Sequence, residues 1–130
     1  MAYYIAKAVG GDFDAVVATV IARLKAHGFG VLTDIDVQAT LKGKLGVDTP
    51  KYRILGACNP GLAHAALRQE THLGVLLPCN VIVRQSEAGH VEVASIDPVA
   101  SLERTGNEAL RPFAEQVRVT LEAVLAELAP

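Results

Sequence analysis

Apolar residues recur along the chain first at the spacing of a strand and then at that of a helix. Tyr3 to Ala8 reads as a strand, with two adjacent Tyr and an Ile ahead of the Gly10-Gly11 break. Phe13, Val16, Val17, Val20, Ile21 and Leu24 then form a single stripe at helical spacing; Asp12 is placed to cap it and Gly28 to end it. From Phe29 to Ile35 the pattern reverts to alternation, which predicts a second strand with Phe29, Val31, Thr33 and Ile35 on one face. Asp36 can cap a short helix carrying Val37, Leu41 and Leu45 and closed by Gly46, although Gly43 in its interior weakens it by about 1 kcal/mol relative to Ala.

The second half repeats these periods. Lys51 to Cys58 predicts a third strand with Tyr52, Ile54 and Cys58 on one face and Arg53, Leu55 and Ala57 on the other. Gly56 falls on the first face, where it either leaves room for a close approach or marks a bulge. Asn59-Pro60 is a helix start, and Leu62, Ala63, Ala66 and Leu67 make the apolar side of the helix that follows. Val75 to Val83 reads as the fourth strand, with Pro78 placing it at an edge or a bulge because proline has no N–H to donate. A hairpin at Ser86 to Gly89 leads to a fifth strand, His90 to Ile96, and Asp97-Pro98 opens a turn or short helix through Leu102. Leu110, Phe113, Ala114, Val117, Leu121, Val124, Leu125 and Leu128 keep helical spacing to the end, with regular helix starting close to Pro112.

The predicted order is βαβαβαββα, an α+β domain built as a two-layer α/β sandwich with a mixed, mostly antiparallel sheet and helices on one face. At 130 residues, 51% of them apolar and 20% charged, the chain suits one domain spanning residues 1–130. Trp is absent and aromatics are few, so the core is expected to be aliphatic. Strands three and four are apolar on both faces, which predicts that a second copy of the chain buries the uncovered one, giving a homodimer.

A net charge of -2, with no concentrated Lys and Arg, argues against nucleic acid as a partner. The apolar runs fall far short of the ~20 residues of a membrane-spanning helix. Lys7 interrupts the only stretch that could resemble a signal peptide, so the expected compartment is the cytoplasm. Two cysteines there point to free thiols, metal ligands or redox groups, at a separation that matches no zinc motif.

With the third strand, the capped helix and the fourth strand in view, three stretches resemble the bacterial and archaeal family catalogued as domain of unknown function 302. They are the run from Phe29 to Lys42, the run from Tyr52 to Pro60 with His64 beyond it, and Leu76-Leu77-Pro78-Cys79-Asn80-Val81. The similarity extends from the first helix to Asp97-Pro98, with no departure at the motif positions. It implies an α+β domain, commonly dimeric, without an established activity.

Two Cys-Asn pairs, Cys58-Asn59 and Cys79-Asn80, are the most distinctive candidate chemistry. Cys58 directly precedes a helix cap, where unpaired N–H groups favour an anionic sulfur, but it also suits the small apolar end of a strand. Cys79 sits between Leu77 and Val81 on an apolar face, which favours packing; pairing of strands three and four would bring it near Cys58. His64 lies about one and a half turns along the helix from Cys58 and could join the thiols around a soft metal or haem iron. Asn59 is accounted for as a cap, whereas Asn80 faces away from Cys79, and if buried needs a partner or lines a pocket. Tyr52 and Arg53 could border that pocket. Asp34 and Asp36 could form a carboxylate pair, but strand termination and helix capping explain them as well. There is no phosphate-cradling glycine loop and no Ser-His-Asp motif.

These residues favour a binding protein over an enzyme: a small dimer holding a ligand or metal in a pocket of Cys58, Asn59, His64, Cys79 and Asn80. A thiol enzyme or sulfur carrier acting through Cys58 is the second reading. A purely structural or interaction domain is the third. Neither the ligand nor any cofactor can be named from sequence.

Overall fold

The computed structural model describes residues 2–130. The elements follow in the order β1 (Tyr4–Val9), α1 (Phe13–Ala26), β2 (Gly30–Asp36), α2 (Val37–Leu45), β3 (Tyr52–Cys58), α3 (Pro60–Gln69), β4 (Cys79–Gln85), β5 (Val91–Ile96), α4 (Pro98–Leu102) and α5 (Arg111–Ala126). Short 3-10 turns at Thr71–Leu76, Glu103–Thr105 and Glu108–Leu110 complete the connections.

Local capping chemistry sets most of these boundaries. The Asp12 carboxylate accepts from the Ala15 N–H at 3.2 Å, that of Asp36 from Ala39 at 2.9 Å, and the Asn59 carbonyl from Leu62 at 3.1 Å. Gly46 closes α2 in the left-handed conformation, φ 68°, that a glycine adopts without cost. Asp97, buried at the start of α4, accepts from the Val99 N–H at 3.0 Å.

The five strands form one sheet in the order β1-β5-β4-β3-β2. The fold class is the expected α+β sandwich of two layers, but every strand pair is antiparallel, so the sheet is not mixed. The chain order also gains a helix: α4 and α5 are separate, giving two helices after β5. Both α1 and α5 pack on one face of the sheet. Val20, Leu24, Leu55, Val81, Val93 and Leu121, all fully buried, meet between the layers. A smaller cluster of Ala66, Leu73, Leu102, Leu110 and Ala114 ties α3 to α4 and the start of α5.

Four expectations are corrected. In β2, Val31 pairs with Ala57 and Thr33 with Gly56, so a bulge at Leu32 sets two residues of β2 against one step of β3. The alternation therefore reverses across the bulge: Phe29 and Val31 face the helices, whereas Thr33 and Ile35 face the other side. Ile35 is accordingly exposed. The fourth strand starts at Cys79 rather than Val75, because residues 71–76 wind into a 3-10 turn that leaves Val75 in solvent. Pro78, joined to Leu77 by a cis peptide, is neither on an edge nor at a bulge: β4 is the middle strand, and Pro78 comes just before its first paired residue, so its missing N–H costs no ladder bond. On α3, Ala66 alone is fully buried and Leu67 is exposed, which narrows the expected apolar side.

Candidate functional site

The five residues singled out in the sequence divide among three places. Cys79 on β4 is the partner of Ala57 on β3, so Cys58 is one step away on the neighbouring strand. Cys79 lines a cavity of about 20 Å³ at the end of the sheet, walled by Phe29, Leu62, Leu77, Phe113 and Val117, with Cys58 and Asn59 at its rim; alternation along β3 sets the Cys58 side chain towards the face of Ile54, not that of Cys79. That is room for about one water-sized group. Burial pushes the Cys79 thiol up to about 11, and a negative charge on nearby Cys58 would push it further the same way. Cys79 is therefore held as a neutral thiol at neutral pH, and Cys58 is half-buried beside it. The Asn59 carbonyl is occupied in capping α3.

His64 stands apart. It is exposed on α3 and does not line the cavity with the thiols. No group of three His, Cys, Asp or Glu side chains among the described residues is placed to hold a metal ion.

Asn80 faces the opposite side of the sheet from Cys79, as the alternation of a strand requires. There it is the partner of Gly56, and it lines a groove of about 610 Å³ on the face that no helix covers. Ile82, Ala94 and Ile96 make the floor, and Tyr3, Tyr4 and Tyr52 stand at the sides. The Tyr3 and Tyr4 rings meet edge to face at 5.2 Å. Arg84 and Glu92, partners across β4 and β5, form an ion pair at 2.9 Å. Ser95, the partner of Val81, turns its side chain beneath the groove to the helix side, where its hydroxyl donates to the Ile96 carbonyl at 3.0 Å. One corner is closed from within. A Cβ on Gly56 would collide with the Thr33 hydroxyl and come within 2.7 Å of the Pro78 ring, so the close approach at this glycine is made by the chain itself.

The carboxylate pair does not form a site either. Asp36 is engaged as the cap of α2, and Asp34 receives two hydrogen bonds from the Arg53 guanidinium, Nε to Oδ1 at 2.7 Å and Nη2 to Oδ2. Those bonds hold the Asp34 carboxyl below its usual range, against the opposing effect of burial.

Sequence reasoning placed Asn80 and Tyr52 near a pocket but missed Tyr3, Tyr4, Arg84 and Glu92. The signal for the last two was the alternation along β4 and β5, which puts Asn80, Ile82 and Arg84 on one face of β4 and Glu92 and Ala94 on the same face of β5. It becomes informative only once the two strands are paired.

The sheet, its one-sided helical cover and the groove define the class: a two-layer α+β domain with one bare sheet face. The chain belongs to the family described as Domain of unknown function DUF302, whose model matches residues 5–128. It is similar to the uncharacterized conserved protein DUF302 from Bacillus stearothermophilus, known from a crystal structure, with a TM-score of 0.89 and 27% identity over 95% of this chain and 96% of that one. The resemblance drawn from the motifs is thus borne out. Functionally curated proteins offer no match. No helix among the described residues is long and apolar enough to cross a membrane.

Proposed function

We propose that this chain is a homodimeric binding protein that holds a small, largely apolar organic molecule in the open-face groove, with a second copy closing over it. The groove carries this reading. Its volume of about 610 Å³ lies in the range typical of small-ligand sites, and an apolar floor with a few polar groups is the usual lining of such sites. Asn80 offers an amide for orientation, and the three tyrosines offer flat apolar surface with a polar tip. Binding fits better than catalysis because the charged groups of the groove are engaged with each other: Arg84 with Glu92. A second copy suits the same face. An adjacent pair of opposite charges is self-complementary about a two-fold axis, so Arg84 of each copy can meet the partner's Glu92. Tyr4 and Ile35 on this face, both about half exposed in the single chain, would be covered.

Light scattering after size exclusion is expected to give the mass of a dimer, and Ile82→Glu, which sets a charge on the groove floor, that of a monomer. Native mass spectrometry of protein purified without denaturation is expected to show a bound small molecule that Ala94→Trp, which fills the groove, excludes. A monomer carrying no small molecule overturns the proposal. A dimer that never carries one reduces the protein to an interaction domain.

A further inference from the structure

We propose that the molecule held in the open-face groove is a monocarboxylic acid, with its carboxylate on Arg84 and its apolar body lying along β4 towards Asn80. This rests on the groove being a ligand site and adds the class of the ligand.

The register sets the groove out in rows across the strands. Arg84 has Glu92 beside it on β5 and Tyr52 on β3, which makes a charged row at one end. Next along the same face, Ile82 lies between Ala94 and Ile54, and this row is wholly apolar. Beyond it comes Asn80, exposed and opposite Gly56. At the rise of an extended strand, the Cα atoms of Asn80 and Arg84 are about 13 Å apart. A ligand that follows this order has a charged end, an apolar middle and room for a hydrogen-bonding group at the far end.

The sign of that charge follows from which hydrogen bonds are already made. Glu92 engages the Arg84 guanidinium through Nε, at 2.9 Å from Oε1, and so holds it in place over the strand. The terminal nitrogens Nη1 and Nη2 have no partner among the described residues. They form a planar fork of donors that matches the paired oxygens of a carboxylate. Tyr52, on the other flank of Arg84, lines the groove and carries a hydroxyl that can add a further donor. Donors thus outnumber acceptors at this end, and a cationic ligand would sit against the guanidinium's own charge. Glu92 beside the fork opposes a doubly charged phosphate, which leaves a monoanion as the fitting group. A guanidinium has donors enough to serve both the ligand and the partner's Glu92.

The test is isothermal titration calorimetry of the intact protein with phenylbutyrate and with phenylbutanol, the neutral counterpart of the same length. The acid is expected to bind the parent protein about tenfold or more tightly than the alcohol, a comparison that needs no variant. Arg84→Gln is expected to abolish the preference for the acid, and Ala94→Trp, which fills the groove, to exclude both compounds. The proposal is overturned, with the groove left standing as a ligand site, if the alcohol binds the parent as tightly as the acid or if Arg84→Gln keeps the full preference. If neither compound binds the parent, or if Ala94→Trp binds both as the parent does, the groove itself fails as the ligand site and the proposal falls with it.

Discussion

Leu55 and Ile54 are neighbours on one strand, and the difference between them is the difference between the two faces of the sheet. Leu55 points into the layer covered by α1 and α5 and is fully buried; Ile54 points to the bare face and is only partly so. The same contrast runs along β4, where Val81 and Val83 are fully buried while Asn80 is exposed and Ile82 half-buried. Both faces are written into the same strands in alternate letters. What separates them is whether something lies on top. The covered face has become core, and the bare one has kept a groove with polar groups, which is where a partner or ligand can still gain from burying apolar surface.

The sharpest way to break this comparison is to shorten one residue on each face. Leu55→Ala is expected to destabilise the fold by about 2–5 kcal/mol, since it leaves a cavity that the close-packed layer can only partly fill. Ile54→Ala is expected to cost clearly less when unfolding is followed by denaturant at concentrations where the chain is monomeric. Equal losses would mean that the bare face is packed as tightly as the core. A smaller effect probes the one closed corner of the groove. Gly56→Ala must push aside Thr33 and the Pro78 ring, and an overpacked site of this kind costs about 1–3 kcal/mol. Adding Thr33→Ala is expected to recover part of that loss, a non-additivity that the denaturation midpoints of the two single variants and the double variant would reveal.

The smallest expected effect concerns the partly exposed pair Asp34–Arg53. Arg53 lowers the Asp34 pKa in the folded chain, so the pair contributes stability at any pH above the unfolded carboxyl value near 4. The contribution is lost as pH falls through the lowered folded value. Solvent screening keeps it to about 1 kcal/mol or less. Asp34→Asn is expected to remove this part of the acid destabilisation, so that the stability curves of variant and parent converge towards low pH. Curves that stay parallel from pH 7 to pH 2 would show that the pair contributes nothing.

The candidate site was legible in part. That Asn80 faces away from Cys79 follows from period-two alternation along one strand; the pairing of strands three and four does not, because α3 and a 3-10 turn lie between them and the register is set only when the two strands meet. His64 was not legible, because its position on the helix relative to Cys58 says how far along it lies but not which way the helix is turned against the sheet. Packing of Ala66 against Leu73 and Leu102 decides that, and it leaves His64 in solvent.

Taken alone, the sequence determined the local elements: α1 from its stripe and Asp12, α2 from Asp36 and Gly46, α3 from Asn59-Pro60, and the hairpin at Ser86 to Gly89. Each rests on groups a few residues apart, so each is readable without knowing the fold. Only the tertiary structure decided the strand order, the antiparallel pairing throughout, the bulge that turns Ile35 outward and the start of β4 after Pro78. A strand's register, and hence the face each side chain takes, is a property of two segments at once. Which face is core depends on the helices that lie across it.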